Sequence, residues 1–191
     1  MRFEEIKQKL STKTVGIAGC GGLGSNCAVA LARVGIAKLI IADYDVIEES
    51  NLNRQYFFYD QIGKKKCFAL KENILKINPK CQVEAHDIKL DEKSIIELYS
   101  NVDVLVEAFD KAEMKALILE TVLRYMPQKP LIMGVGLAGW GKFSLIKEHN
   151  FDNVYIMGDM TNEASENLPP IAPRVGIVAN MQANKVLELL L

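Results

Sequence analysis

The residues best suited to chemistry begin at Gly19-Cys20-Gly21-Gly22-Leu23-Gly24. Glycines at 19, 21, 22 and 24 permit a tight turn and let backbone N–H groups approach a phosphate. A helix starting at the same point adds the positive end of its dipole. Alone the pattern is unspecific, because glycines also pack strands against helices. Asp43 follows about twenty residues later, at the end of the next apolar run, where an acid can accept hydrogen bonds from ribose hydroxyls. With the loop at that distance, ribose binding is favoured over an ordinary exposed strand-end acid. The pair points to an adenine nucleotide and leaves open which one.

Asn51-Leu52-Asn53-Arg54-Gln55, and Lys66 shortly after Gly63, bear on that choice. A dinucleotide's pyrophosphate is largely satisfied by the glycine loop, whereas a triphosphate calls for added cations at its far end. Arg54 and Lys66 suit that task. Lys64 and Lys65 read as a solvated charge run, while Lys66 opens a helix beside the loop. Asp110 ends the run VDVLVEAF, and open α/β sheets bind ligands at the carboxyl ends of their strands. A carboxylate there suits Mg²⁺ bridging phosphates. It equally suits the N-cap of the helical segment starting Lys111-Ala112, and spacing leaves those two readings even.

These residues need a scaffold, and strand-like and helical periods alternate along the chain. The pattern predicts helices over 2–10, 23–34, 66–77, 91–99, 112–125 and 175–191, with Gly35 and Asn78-Pro79 as stop signals. Strands are expected over 14–19, 38–43, 82–86, 102–106 and 130–135. Alternation of this kind implies right-handed crossovers and an α/β fold: a Rossmann-like, mostly parallel sheet flanked by helices. After Gly136 the rhythm changes. Lys142–Lys147 and Asn153–Met157 read as strands with no helix between them, hence an antiparallel edge near the C-terminus. The polar stretch 159–173 is either a mobile loop or a crossover. One domain over 1–191 is expected.

Composition narrows the function classes. Hydrophobic residues make up 49% and charged residues 25%, a globular balance, and the net charge of −1 offers no general attraction to nucleic acid. No apolar run approaches the length of a membrane span. The opening MRFEEIKQKL lacks the apolar centre of a signal peptide, so a cytoplasmic location is expected. Cys20, Cys27, Cys67 and Cys81 form no C-x-x-C pair, so neither zinc nor a disulfide framework is expected, only reduced buried thiols. His86 and His149 read as surface or packing residues.

In order and type, these motifs resemble the ubiquitin-activating-enzyme-like adenylyltransferases, and within them short-form members of the ThiF family. The similarity rests on the glycine loop, Asp43-Tyr44-Asp45, Asn51–Gln55, Gly63–Lys66 and Glu107–Asp110. It continues through Ala172-Pro173-Arg174-Val175-Gly176-Ile177-Val178 and Gln182-Ala183-Asn184. What the resemblance implies is ATP-Mg²⁺ binding and transfer of AMP to the C-terminal glycine carboxylate of a small ubiquitin-like sulfur carrier ending in Gly-Gly, such as ThiS, for thiazole synthesis. By the family pattern, Gly19, Gly21, Gly22 and Gly24 hold the nucleotide and Asp43 the ribose. Asn51, Arg54, Gln55 and Lys66 contact phosphates, Asp110 binds magnesium, and a homodimer is favoured. The sulfur donor is unassigned.

The sequence departs from longer relatives in three ways. The paired C-x-x-C zinc site is missing, residues 142–191 hold no cysteine for a sulfur-handling step, and Arg2 is the one candidate for an N-terminal arginine that reaches a neighbouring protomer. Carriers of the molybdopterin type or a modified tRNA base are the nearest alternative substrates. A nicotinamide-dependent dehydrogenase would explain the loop and Asp43 but leave Arg54, Lys66 and Asp110 idle. A non-catalytic scaffold would not need Arg54 and Asp110 together.

Overall fold

The computed structural model describes residues 1–162 and 164–191. Seven strands form one sheet: β1 (Thr14–Ala18), β2 (Lys38–Ala42), β3 (Gln82–His86), β4 (Val104–Glu107), β5 (Leu131–Val135), β6 (Lys147–Phe151) and β7 (Val154–Gly158). Their order is β3-β2-β1-β4-β5-β7-β6, parallel throughout except for the antiparallel β6–β7 edge. The chain winds outward from β1 to β3, returns to the centre with β4, and winds the other way. The switch point therefore lies between β1 and β4. β1, β2 and β4 are almost wholly buried, which is why they read as continuous apolar runs rather than alternating ones.

Helices cover both faces: α1 (Phe3–Leu10), α2 (Gly22–Val34), α3 (Lys66–Ile77), α4 (Glu92–Tyr99), α5 (Ala112–Tyr125) and α6 (Ala172–Leu190). One apolar core joins the sheet to α2, α3 and α6, with Leu31, Leu70 and Val178 fully buried. The other joins it to α4 and α5 through Ile95, Tyr99 and Ile118. Tyr99 lies under β1, where a Cβ on Gly16 would stand 2.6 Å from its ring, and its hydroxyl donates to the Ile17 carbonyl at 3.2 Å. The α2 helix ends at Gly35, whose φ of +95° closes the helix in the left-handed region that glycine enters freely. Among the described residues no helix is long and apolar enough to cross a membrane.

The expected strand at Lys142–Lys147 is corrected. Lys142 has a φ of +46° and leads into a 3₁₀ turn at Phe143–Leu145, so β6 starts only at Lys147. Asp152, at φ +51°, and Asn153 then form a two-residue hairpin turn into β7. The edge strand KEHNF is polar and exposed, so it carried no hydrophobic period to read. α6 starts at Ala172, ahead of the expected Val175, because Pro173 sits in the first turn, where its missing N–H costs nothing. Residue 163, within the 159–173 stretch expected to be a mobile loop or a crossover, lies outside the described residues, and the described part near its end packs against the segment after β5. Ala138 bridges Pro170, and the Gly139 N–H donates to the Pro169 carbonyl at 3.0 Å.

Candidate active site

A cleft of about 490 Å³ opens at the carboxyl ends of β1 and β4, the switch point of the sheet. The glycine loop connects β1 to α2 along one side of it. Gly19 has a φ of +100°, and a Cβ there would come within 2.8 Å of the Ala108 carbonyl, so the loop can lie against the end of β4 only as glycine. Gly24 serves the other side of the turn. A Cβ at 24 would stand 1.9 Å from the Gly19 carbonyl oxygen, so α2 docks directly under the loop. Gly21 and Gly22 line the cleft, and Gly24 packs behind it.

Asp43 follows β2 and ties that strand to the loop. Its Oδ2 accepts the Cys20 N–H at 2.7 Å and its Oδ1 the Asp45 N–H at 2.8 Å. Burial pushes its carboxyl above the usual carboxylate range, opposed by these N–H donors and by the nearby Lys66 charge. A 3₁₀ turn at Glu49–Asn53 presents the next group. Asn51 is folded into that turn. Its side-chain oxygen accepts the Glu48 N–H at 3.2 Å, and its carbonyl accepts the N–H groups of Arg54 and Gln55. Asn51 therefore does not line the cleft, whereas Arg54 and Gln55 do.

Arg54 donates to the Asn53 side-chain oxygen at 2.7 Å and the Ser50 carbonyl at 3.3 Å, both neutral, so its charge is unpaired among the described residues. Gln55 is buried, and its Oε1 has no hydrogen-bond partner among the described residues. Lys66 is the first residue of α3 and is buried, with its ammonium 2.9 Å from Asp45 Oδ2. Lys64 and Lys65 are half exposed and pair with Glu72 and Asp87, as expected of a solvated run. Asp110 is exposed at the cleft, and the helix-cap reading for it finds no support. The residue at the N-cap of α5 is Lys111, and no side-chain bond caps that helix. Arg2 folds onto Glu5 at 2.8 Å, beside its own helix.

Three features were not foreseen. Glu107, at the end of β4, is fully buried, and both its oxygens accept from Lys115 at 2.9 Å. Burial pushes its carboxyl up, opposed by the Lys115 ammonium. Lys115 also donates to the Gly134 carbonyl at 2.7 Å, and Gln182 to the Glu107 carbonyl at 2.9 Å, joining α5, β5 and α6 behind the cleft. An acid inside an otherwise apolar strand was the available signal, since a buried charge needs a partner. Ile88, Leu90, Phe109 and Met114 give the cleft an apolar lining, and nothing local marks them as neighbours. Arg174 forms a buried pair with Asp159 at 2.6 Å.

The residues present fit a phosphorylated nucleotide. The glycines leave room that a Cβ would fill, Gln55 offers an unused polar atom, and Arg54 offers an unpaired cation. For Mg²⁺ the fit is also adequate, since that ion needs only one or two carboxylates beside substrate phosphates, and Asp110 is free to serve.

Fold and cleft together define a doubly wound α/β nucleotide-type domain, with glycine loop, strand-end acid and cations at one switch point. The chain belongs to the ThiF family, whose family model matches residues 2–191. It is 32% identical over 180 residues to the adenylyltransferase and sulfurtransferase UBA4 of Eremothecium gossypii, covering 94% of this chain and 38% of that protein. Over 194 residues it is 28% identical to the probable molybdopterin-synthase adenylyltransferase of Porphyra purpurea, covering 98% and 50%. The chain thus spans half the length or less of these curated relatives. Escherichia coli tRNA N6-threonylcarbamoyladenosine dehydratase, TcdA, solved in complex with AMP, superposes with a TM-score of 0.86 at 21% identity, covering 97% of this chain and 88% of that one. At that identity the likeness is one of fold.

Proposed function

We propose that the chain is an adenylyltransferase that uses ATP to activate the C-terminal glycine carboxylate of a small ubiquitin-like sulfur carrier of the ThiS type, for thiamine thiazole synthesis. The observation that carries this reading is the convergence of Arg54, Gln55, Lys66 and Asp110 on the cleft that the glycine loop and Asp43 border. The ThiF membership and the adenylyltransferase names of the relatives favour it over a nicotinamide-dependent dehydrogenase.

In this reading Gly21 and Gly22 give the phosphates backbone N–H groups, while Gly19, whose own N–H donates to the Ala42 carbonyl at 2.9 Å, lets the loop lie against the end of β4, and Gly24 holds the helix beneath them. Asp43 accepts from the ribose, and the apolar lining takes the base. Asn51 holds Arg54 and Gln55 in place, Arg54 and Lys66 meet the phosphates, and Lys66 exchanges Asp45 for them. Asp110 holds Mg²⁺, which neutralises phosphate charge when bound. A carboxylate oxygen of the carrier attacks the α-phosphorus, the bond to the bridging oxygen of the β-phosphate breaks, and pyrophosphate leaves. The nucleophile is already ionised, so no general base is needed. Catalysis is then positioning plus cationic stabilisation of two anions brought together. We place the enzyme in the cytoplasm as a homodimer, which sedimentation would check.

The test is ATP–pyrophosphate exchange with carriers ending in Gly-Gly. Exchange is expected with a full-length carrier and background with one lacking its last glycine; full exchange with the truncated carrier overturns the reading. The relative from Porphyra purpurea supports a second reading, a carrier of the molybdopterin-synthase type, and the same assay with both carriers ranks them by kcat/KM.

A further inference from the structure

Arg174 is a charged residue on α6 that the proposed chemistry does not use, and it is 3% exposed. It ties together three parts of the chain. Its Nε donates to the Gly136 carbonyl at 3.2 Å, its Nη1 to the Gly141 carbonyl at 3.0 Å, and its Nη2 to Asp159 Oδ2 at 2.6 Å. Asp159 follows β7, and its other oxygen accepts the Thr161 N–H at 2.8 Å and hydroxyl at 2.5 Å. The Asn162 side chain closes on Oδ2. The segments after β5 and β7 meet at this point. A Cβ at Gly136 would stand 1.5 Å from the Asp159 carbonyl oxygen, and one at Gly158 would stand 1.9 Å from that of Val135.

Those segments border the cleft. Gly136 and Leu137 from the first, and Asn162, Ala164 and Pro170 from the second, line it together with the glycine loop. In the carrier reading the nucleotide is held by the loop and Asp43, and an extended carrier tail whose carboxylate reaches the α-phosphate would run along this wall of the same cleft. A planar guanidinium with donors in a fixed fork can hold two carbonyls and a carboxylate in one geometry, whereas an ammonium point charge cannot fix their orientation.

We propose that Arg174, through Asp159, is a positioning residue for the carrier's C-terminal tail: it fixes the two-segment wall past which the tail must thread, and it leaves nucleotide binding alone. This rests on the carrier-activation reading above, and the measurements separate the two. Asp159→Asn removes the charge and keeps the shape. The double variant Arg174→Met with Asp159→Leu replaces the buried pair with apolar groups, a change that proteins often tolerate.

In whichever variant is folded by near-UV circular dichroism, amide exchange at Gly139, whose N–H bonds the Pro169 carbonyl, should quicken tenfold or more. KM for a ThiS carrier ending in Gly-Gly should rise about tenfold. The affinity for ATP measured without carrier should stay within about twofold, and kcat at saturating carrier within about threefold. Arg174→Lys should recover only part of the loss in KM. An unchanged carrier KM, a parallel loss of ATP affinity, or unchanged exchange at Gly139 overturns the proposal, as does failure of both variants to fold, which would make the pair a general support. If the wild type gives no carrier-dependent exchange, the carrier reading fails, and Gly139 exchange alone decides whether Arg174 holds the wall.

Discussion

Asp110 and the cysteines carry the sharpest tests at the scale of single residues. Asp110 caps nothing through its side chain, so Asp110→Asn removes a charge and little else. The variant should melt within about 2 °C of wild type, as a surface change worth under about 0.5 kcal/mol implies. Its carrier-dependent exchange should fall a hundredfold or more at millimolar Mg²⁺; normal exchange would remove Asp110 from the metal site. The four cysteines are buried, and burial pushes Cys27 up to about 12 and Cys81 to about 11. Cys20, inside the glycine loop, is likewise raised by burial and then by the Asp43 charge. A thiol at such values holds almost no thiolate at neutral pH, and the thiolate is the nucleophile. Native protein should therefore react slowly with a thiol reagent at pH 8 and quickly once unfolded in urea. A variant with all four replaced by Ala or Ser should keep exchange activity if it folds. A reducible carrier adduct on any cysteine would contradict this.

Among the elements, the glycine loop and α2 act as one unit. Gly24→Ala would drive a methyl into the Gly19 carbonyl, forcing the helix away from the turn. The expected cost is about 1–3 kcal/mol, the range of overpacked sites, seen as a lower urea midpoint together with weakened nucleotide binding. Gly35→Ala isolates a different cause. It places an L residue at φ +95° at the far end of the same helix, beside the Lys7 side chain. It should cost about 1–2 kcal/mol and leave exchange activity unchanged at a temperature where the variant is folded. Comparable losses of activity in both variants would refute the idea that the first glycine serves the site and the second only the helix end.

For the whole molecule, pH reports on the joint between α6 and the segments that follow β5 and β7. Burial works to raise the Asp159 carboxyl, but the Thr161 hydroxyl and N–H, the Asn162 amide and the Arg174 guanidinium outweigh it and hold it at about 2. A carboxylate whose folded pKa lies below its unfolded value contributes stability that is present above the unfolded value, near pH 4, and is lost as pH falls toward about 2. That contribution is about 2 kcal/mol. Wild type should lose stability through this window, and Asp159→Asn should show a flatter slope across it in denaturant titrations. Equal slopes would mean that the pair is not formed in solution.

The central sheet and its helices are legible in the sequence, because continuous apolar runs and glycine or proline punctuation are local features. That Asp43, Arg54, Gln55, Lys66 and Asp110 gather with the glycine loop at one cleft is legible for the same reason: each chemical type stands at a spacing the chain alone displays. The polar edge strand β6 was misplaced because an exposed strand needs no apolar period. What only the tertiary structure decided are the pairings between distant positions. These include Glu107 with Lys115, Arg174 with Asp159, the withdrawal of Asn51 from the cleft, and the freeing of Asp110 from the helix cap. A sequence records which charges a chain carries, but the partner of a buried charge is set by which strand ends meet, and that follows from the packing of the whole sheet.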